Sequence, residues 1–259
     1  MADIQEAFQK FMGKSNMKKT NQKKADKNKN GNRNNFQNPK TDEEANYGYL
    51  FYKDKSYGRD LTSKKFRDFS SFFKIDGAEG FKLKTVYPGL LVGAGYPHGK
   101  LKDSKEDFQI GFYFDYTTGM PVIPGSSVKG VLRSVIEKKD FLKEVFNFEY
   151  TQQEFEDIFK NGEIVFLDAF IVDSLNEEKA IFGDDYITKH YDENDKDWIF
   201  KEPNPIKFLK ILPDVVFEFQ FLVKNEKYKR FLDVFKEILK EIGVGAKTNV
   251  GYGRFEDGK

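Results

Sequence analysis

The chain has 259 residues, of which 33% are charged, yet its formal net charge is only +1 and it contains no cysteine. The missing cysteines exclude disulfides, thiolate zinc sites and a cysteine nucleophile, and the charge balance excludes a surface that is basic throughout. No apolar run reaches the length of a membrane span or a signal-peptide core, which leads us to expect a cytoplasmic protein with no membrane partner.

Charge is unevenly distributed along the chain. Residues 1–40 hold ten Lys/Arg against three Asp/Glu, so the rest of the chain is net acidic. Residues 4–12 place Ile4, Ala7, Phe8 and Phe11 on one helical face; from Gly13 to Lys40, Lys, Asn, Gln and Gly dominate. Such a composition buries too little apolar surface to order itself, so 1–40 reads as a basic, disordered tail and 41–259 as one domain. The tail is either a solubilising segment or an arm for RNA or a partner.

The domain has ample material for a core, with 28 phenylalanines in the chain. Helical spacing of Phe66, Phe69 and Phe73 predicts a helix over 62–75, and β-formers predict a strand from Phe81 to Val92. Residues 108–114 alternate, with Phe108, Ile110, Phe112 and Phe114 on one face. Over 126–138, Val128, Val131, Leu132, Val135 and Ile136 follow the spacing of a core-facing helix, with Ser126 or Ser127 as its cap. Thr151 and Glu154 form a capping box for a helix through Phe159. A buried strand is predicted over 163–172, then an acidic insertion without clear periodicity from Asp173 to Leu212. Val215–Val223 alternates as a strand, 225–242 is a helix with Gly243 at its C-terminal cap, and a last strand covers 250–256. The order β-α-β-β-α-β is the ferredoxin-like, RRM-like α+β plan shared by RNA-recognition modules.

Two stretches carry chemistry. Gly125, Ser126 and Ser127 open a helix on which Lys129 and Arg133 stand one turn apart, the makings of an anion site; the alternative is an ordinary capped helix with solvated cations. Gly243–Gly253 contains four glycines in eleven residues, with Gly245, Lys247, Thr248, Asn249, Gly251, Tyr252 and then Arg254 suited to a phosphate backbone with nearby bases. It is not a P-loop, because Glu241 and Ala246 stand where glycines are needed and the loop leaves a helix instead of entering one. Thr248 likewise breaks a dinucleotide fingerprint. Ser126 and Lys129 match Ser-x-x-Lys, but the companion motifs of penicillin-recognising enzymes are absent. His98 and His190, the only histidines, have no recognisable catalytic companion; Asp184, Asp185, Asp195 and Asp197 read as solvated loop acids in preference to Mg²⁺ ligands. No cofactor or metal is implied.

The loop 243–253 fits Gly-x-Gly-x5-Gly-x-Gly, and in this the chain resembles the RAMP superfamily of CRISPR proteins. Further segments, 93–98, 119–133 and 186–191, are similar to the sixth-subunit branch of the Cmr (type III-B) effector complexes. The resemblance covers about residues 80–255. It implies a RAMP fold, a non-catalytic subunit in antiviral defence, and binding of guide RNA (crRNA) near its 3′ end, with target RNA as a further candidate. The implied neighbours are a backbone RAMP subunit and a capping RAMP subunit. The RNA-facing groups it implies are Gly125, Ser126, Ser127, Lys129 and Arg133, together with Gly245, Lys247, Thr248, Asn249, Gly251, Tyr252 and Arg254. The other open reading is a metal-independent endoribonuclease that processes CRISPR RNA.

Overall fold

The computed structural model describes residues 46–53, 61–97, 110–188 and 205–258. All of them fall within one compact unit spanning residues 41–259. The architecture is mixed α+β with antiparallel sheets.

The central sheet grows from two long alternating strands, β1 (Ala78–Thr85) and, later in the chain, Val215–Val223, which pair antiparallel from Ala78 with Leu222 to Lys84 with Val216. Phe81 and Leu83 on the first, and Phe217, Phe219 and Phe221 on the second, point to one face and join the core. Between them in sequence come short strands β2 (Tyr96–Pro97), β3 (Gly111–Phe112) and β4 (Val122–Ile123), then β5 (Ile164–Phe166) and β6 (Ala169–Ser174). After these come β7 (Phe182–Thr188), β8 (Pro205–Ile211), β9 (Val215–Val223) and β10 (Phe255–Asp257). The sheet order is β10-β1-β9-β6-β4, and β5 also pairs with β9, so β5 and β6 are two halves of one lane interrupted at Leu167–Asp168.

The helices are α1 (Tyr47–Lys53), α2 (Ser70–Phe73), α3 (Gly125–Ile136), α4 (Lys139–Phe146), α5 (Gln152–Phe159) and α6 (Arg230–Ile242). α3 and α6 pack on each other and on the sheet. Val128, Leu132, Val135 and Ile136 of α3 are buried, as are Phe231, Phe235, Ile238 and Leu239 of α6. These are the apolar stripes that the spacing predicts. The Thr151/Glu154 capping box is formed.

Several elements differ from the expectation. Residues 62–75 do not make one helix: helix ends at Thr62, Lys65 bridges Ala180, and helix resumes only over Ser70–Phe73. Phe73 there stacks on Phe170 at 3.8 Å, so tertiary burial overrides the local spacing. The strand from Phe81 stops at Thr85 and the one before the C-terminus begins only at Phe255. Of the described residues 110–114 only Gly111–Phe112 is a strand, although Ile110, Phe112 and Phe114 are all buried. Neither Ser126 nor Ser127 caps α3, whose N-cap is Pro124 without a side-chain bond. The span Asp173–Leu212 is not aperiodic: β7 and β8 pair from Phe182 with Ile211 to Thr188 with Pro205. At its base, around Phe182 and Phe208–Ile211, this hairpin is buried on both faces. Phe182, Leu209 and Ile211 enter the main core, whereas Phe208 and Ile187 join Leu91, Ile110, Tyr252 and Ala246 in a second, smaller one. A strand buried on both faces loses the in–out alternation that would reveal it. The expected helix over 4–12, the tail through residue 40, Phe108, His98, His190, Asp195 and Asp197 lie outside the described residues.

Candidate nucleic-acid interface

Three motif-bearing segments meet at a groove of about 290 Å³. It is lined by residues 92–94, by Ser127 and Val131 of α3, and by residues 244–246 of the glycine-rich loop. The segment 89–91 builds it by bonding in both directions. Leu90 exchanges two backbone hydrogen bonds with Ile211 of β8, each of 2.9 Å. On the other side the Gly253 amide donates to the Gly89 carbonyl and the Ala246 amide to the Leu91 carbonyl, each at 2.8 Å. The glycine loop is thereby laid flat against residues 89–91. Gly245 is required by this approach: its φ is +103°, and a Cβ there would stand 2.2 Å from the Leu91 carbonyl oxygen. Gly251, at φ +98°, closes the turn after a 3₁₀ segment Thr248–Val250, with only Pro88 near a Cβ, at 3.4 Å. Lys247 also adopts a left-handed conformation, an uncommon state for a non-glycine residue.

Around α3, at about 100° per residue, Ser127 and Val131 edge the groove while Lys129 lies some 200° further round. Its ammonium stands 5.8 Å from the Phe166 ring centroid. Exposed Ser126, Gly130 and Arg133 occupy the sector between them. Arg133 is engaged by its neighbour, with Nε 3.0 Å from Glu137 Oε1. Gly130 belongs to the 119–133 segment but is not among the expected RNA-facing residues. A Cβ on it would meet nothing within 4 Å, so the fold itself does not call for a glycine there.

The structure separates the expected RNA-facing residues into groups. Ser127 and Gly245 share the groove; Ser126, Thr248 and Asn249 are exposed or half-exposed; Arg133 is exposed on the outer face of α3, and Lys129 is half-buried at the far edge of that face, over Phe166. Gly125 is buried, and its amide donates to Asp168 Oδ1 at 2.7 Å. The Ser127 amide donates to the Pro124 carbonyl at 2.8 Å. The anion site expected at this helix start is thus filled from within: the break between β5 and β6 delivers a carboxylate to it. Arg254 is half-buried, its carbonyl accepting from the Val86 amide at 3.2 Å.

Tyr252 is not a base-stacking surface. It is only 8% exposed, and its hydroxyl donates to Asp185 Oδ2 at 2.6 Å. Lys210 reaches the same oxygen at 2.7 Å, and Asp184 pairs with Lys207 at 2.5 Å. Asp184 and Asp185 are therefore strand residues with lysine partners, not solvated loop acids. Burial acts upward on the Asp185 carboxyl, but the Lys210 and Tyr252 hydrogen bonds outweigh it and hold the group below the usual range. Burial first, then the hydrogen bond to Asp185 and its charge, pushes the Tyr252 phenol well above its ordinary value. Among the described residues there is no cluster of three or more His, Asp or Glu able to hold a metal ion, and no helix long and apolar enough to cross a membrane.

The model of the RAMP superfamily matches residues 82–256, which contain every segment of this groove. The chain is 30% identical over 246 residues to the CMR subunit Cmr6 of Saccharolobus solfataricus, covering 81% of this chain and 78% of that one. It is 28% identical over 161 residues to the endoribonuclease Csm3 of Streptococcus thermophilus, covering 54% of this chain and 70% of that one. A chain in the cryo-EM structure of a type III-B Cmr-β complex bound to cognate target RNA superposes with a TM-score of 0.54 at 30% identity. That match covers 70% of this chain and 58% of the other. The chain therefore belongs to the RAMP superfamily of CRISPR proteins and is a homologue of the Cmr6 subunits.

Proposed function

We propose that the chain is a non-catalytic subunit of a type III-B CRISPR effector complex that binds guide RNA near its 3′ end. The observation that carries this reading is the groove itself. The 93–98, 119–133 and 243–253 segments are distant in sequence, and residues from all three line one open groove, in which exposed Gly93 and Gly245 present bare backbone beside Ser127 among alanine and valine side chains. Backbone of this kind suits a sugar-phosphate chain, which positions RNA without reading its sequence. The outer face of α3 adds Lys129 and Arg133 as electrostatic support. The strand order supports the ferredoxin-like plan. With β5 and β6 taken as one lane, the fourth, first, third and second strands lie side by side, and α3 and α6 are the two crossover helices. The partners are crRNA, and a backbone and a capping RAMP subunit on either side.

The relative named as an endoribonuclease favours a second reading, metal-independent cleavage of CRISPR RNA. One experiment separates the two. The full chain is incubated with guide and repeat RNA in EDTA, and both binding and product length are followed. Binding without cleavage is the expected result. Cleavage that disappears in His98→Ala or His190→Ala would overturn the non-catalytic reading.

A further inference from the structure

We propose that Tyr87 stacks an unpaired base of single-stranded RNA at the outer rim of the glycine loop, an inference that rests on the RNA-binding reading above. Tyr87 is 84% exposed, an unusual state for a large aromatic ring held on backbone this well fixed. The Val86 amide donates to the Arg254 carbonyl at 3.2 Å, the Gly89 amide closes the turn onto the Val86 carbonyl at 2.8 Å, and the Gly89 carbonyl accepts from Gly253. The next residue, Pro88, abuts Gly251. Both flanks of the tyrosine are thus bonded or packed to the loop, and the ring projects from its edge.

The surroundings select the ligand. Lys210 Nζ lies over the ring at 5.9 Å from its centroid, and the cation Arg254 is paired through its backbone one residue away. Exposed Asn249 and Val250 follow on the adjoining 3₁₀ segment. A rigid aromatic face with a lysine ammonium near it and backbone alongside is the arrangement that holds single strands, because every base has a π-face. Tyr252, the aromatic in the motif, is spent on the second core and on Asp185. Tyr87 supplies what Tyr252 cannot.

The test measures affinity of the full chain for single-stranded RNA carrying 2-aminopurine, by anisotropy and by quenching. Tyr87→Ala is expected to weaken binding about 5- to 100-fold, the usual effect of removing one stacking partner, with the salt dependence and melting temperature unchanged. Tyr87→Phe is expected to retain affinity and quenching. An alanine variant within twofold of the parent overturns the inference and leaves the RNA-binding reading standing. Loss of association with a neighbouring subunit at unchanged RNA affinity also overturns it, assigning the ring to a protein contact. A parent chain that binds no RNA overturns both readings.

Discussion

Asp168 Oδ1 accepts the Gly125 amide at 2.7 Å, so the start of α3 is capped by a carboxylate from the sheet and not by its own serines. Asp168→Ala removes that cap and is expected to cost about 1 kcal/mol of stability, as capping losses generally do. Asp168→Asn keeps an acceptor but removes the charge that offsets the helix dipole. It is expected to tighten RNA binding about two- to five-fold at low salt. Parallel melting and affinity measurements on the two variants check both signs; weaker binding by the asparagine variant would refute the electrostatic argument.

Gly130 gives a test in which stability and function move in opposite directions. With open space where a side chain would stand, Gly130→Ala should stabilise α3 by about 1 kcal/mol. If the proposed RNA interface runs from Ser127 to Lys129, the strand passes over this position, and the same methyl group should weaken binding. A variant that is more stable and binds RNA as well as the parent would move the RNA path off α3.

Lys129 and Arg133 are not equivalent. Lys129→Ala is expected to weaken RNA binding uniformly across sequences and to lower the salt slope by about one unit or less. Arg133 already has Glu137 at 3.0 Å, so Arg133→Ala should change the slope less. Titrations at several salt concentrations give both slopes directly.

The two loop glycines also separate. Gly245→Ala would drive a methyl group into the Leu91 carbonyl and should break the pairing of residues 89–91 with the loop, with a large fall in melting temperature. Gly251→Ala meets only Pro88, so its cost is the left-handed backbone alone, about 1–2 kcal/mol. Guide-RNA affinity of the folded Gly251→Ala protein then reports whether the loop contacts RNA; unchanged affinity would remove it from the interface.

Asp185→Asn probes the joint between loop and hairpin. Asp185 is held below its ordinary value of 3.8, so its contribution is complete above that pH and is lost as pH falls through the lower, folded value. The asparagine variant, which leaves Lys210 without its carboxylate, should be less stable by about 1–3 kcal/mol at neutral pH. The gap to the parent should close on acidification below about pH 4. Melting curves from pH 7 to pH 2 would show it, and a gap that stays constant with pH would contradict the assignment.

The long elements with polar residues between their apolar positions are legible in the sequence: Phe217, Phe219 and Phe221 alternate with Glu218 and Gln220, and Phe231, Phe235, Ile238 and Leu239 recur at helical spacing. The β7–β8 hairpin is not, since its two faces enter two cores and its acids pair with lysines 23 and 25 positions away, Asp184 with Lys207 and Asp185 with Lys210. The glycine loop can be located but not its partners. Nothing local to Tyr252 announces that it will be buried against Phe208, and nothing local to Asp168 announces Gly125. Gly130 is visible as a glycine inside a helical pattern, but only the structure shows that open space surrounds it.

The flat bonding of residues 244–253 against residues 89–91 has a consequence for how the loop meets a ligand. Sequence this rich in glycine is expected to fluctuate, but the Ala246 and Gly253 amides are tied to carbonyls outside the loop, and those of Val244 and Gly251 to carbonyls within it. These amides should exchange with solvent deuterium as slowly as strand amides do. The ordering entropy of the loop is then settled when the chain folds, and little of it remains to be lost on binding. Here glycine creates a hard surface, and under the proposed function the RNA is the partner that has to conform.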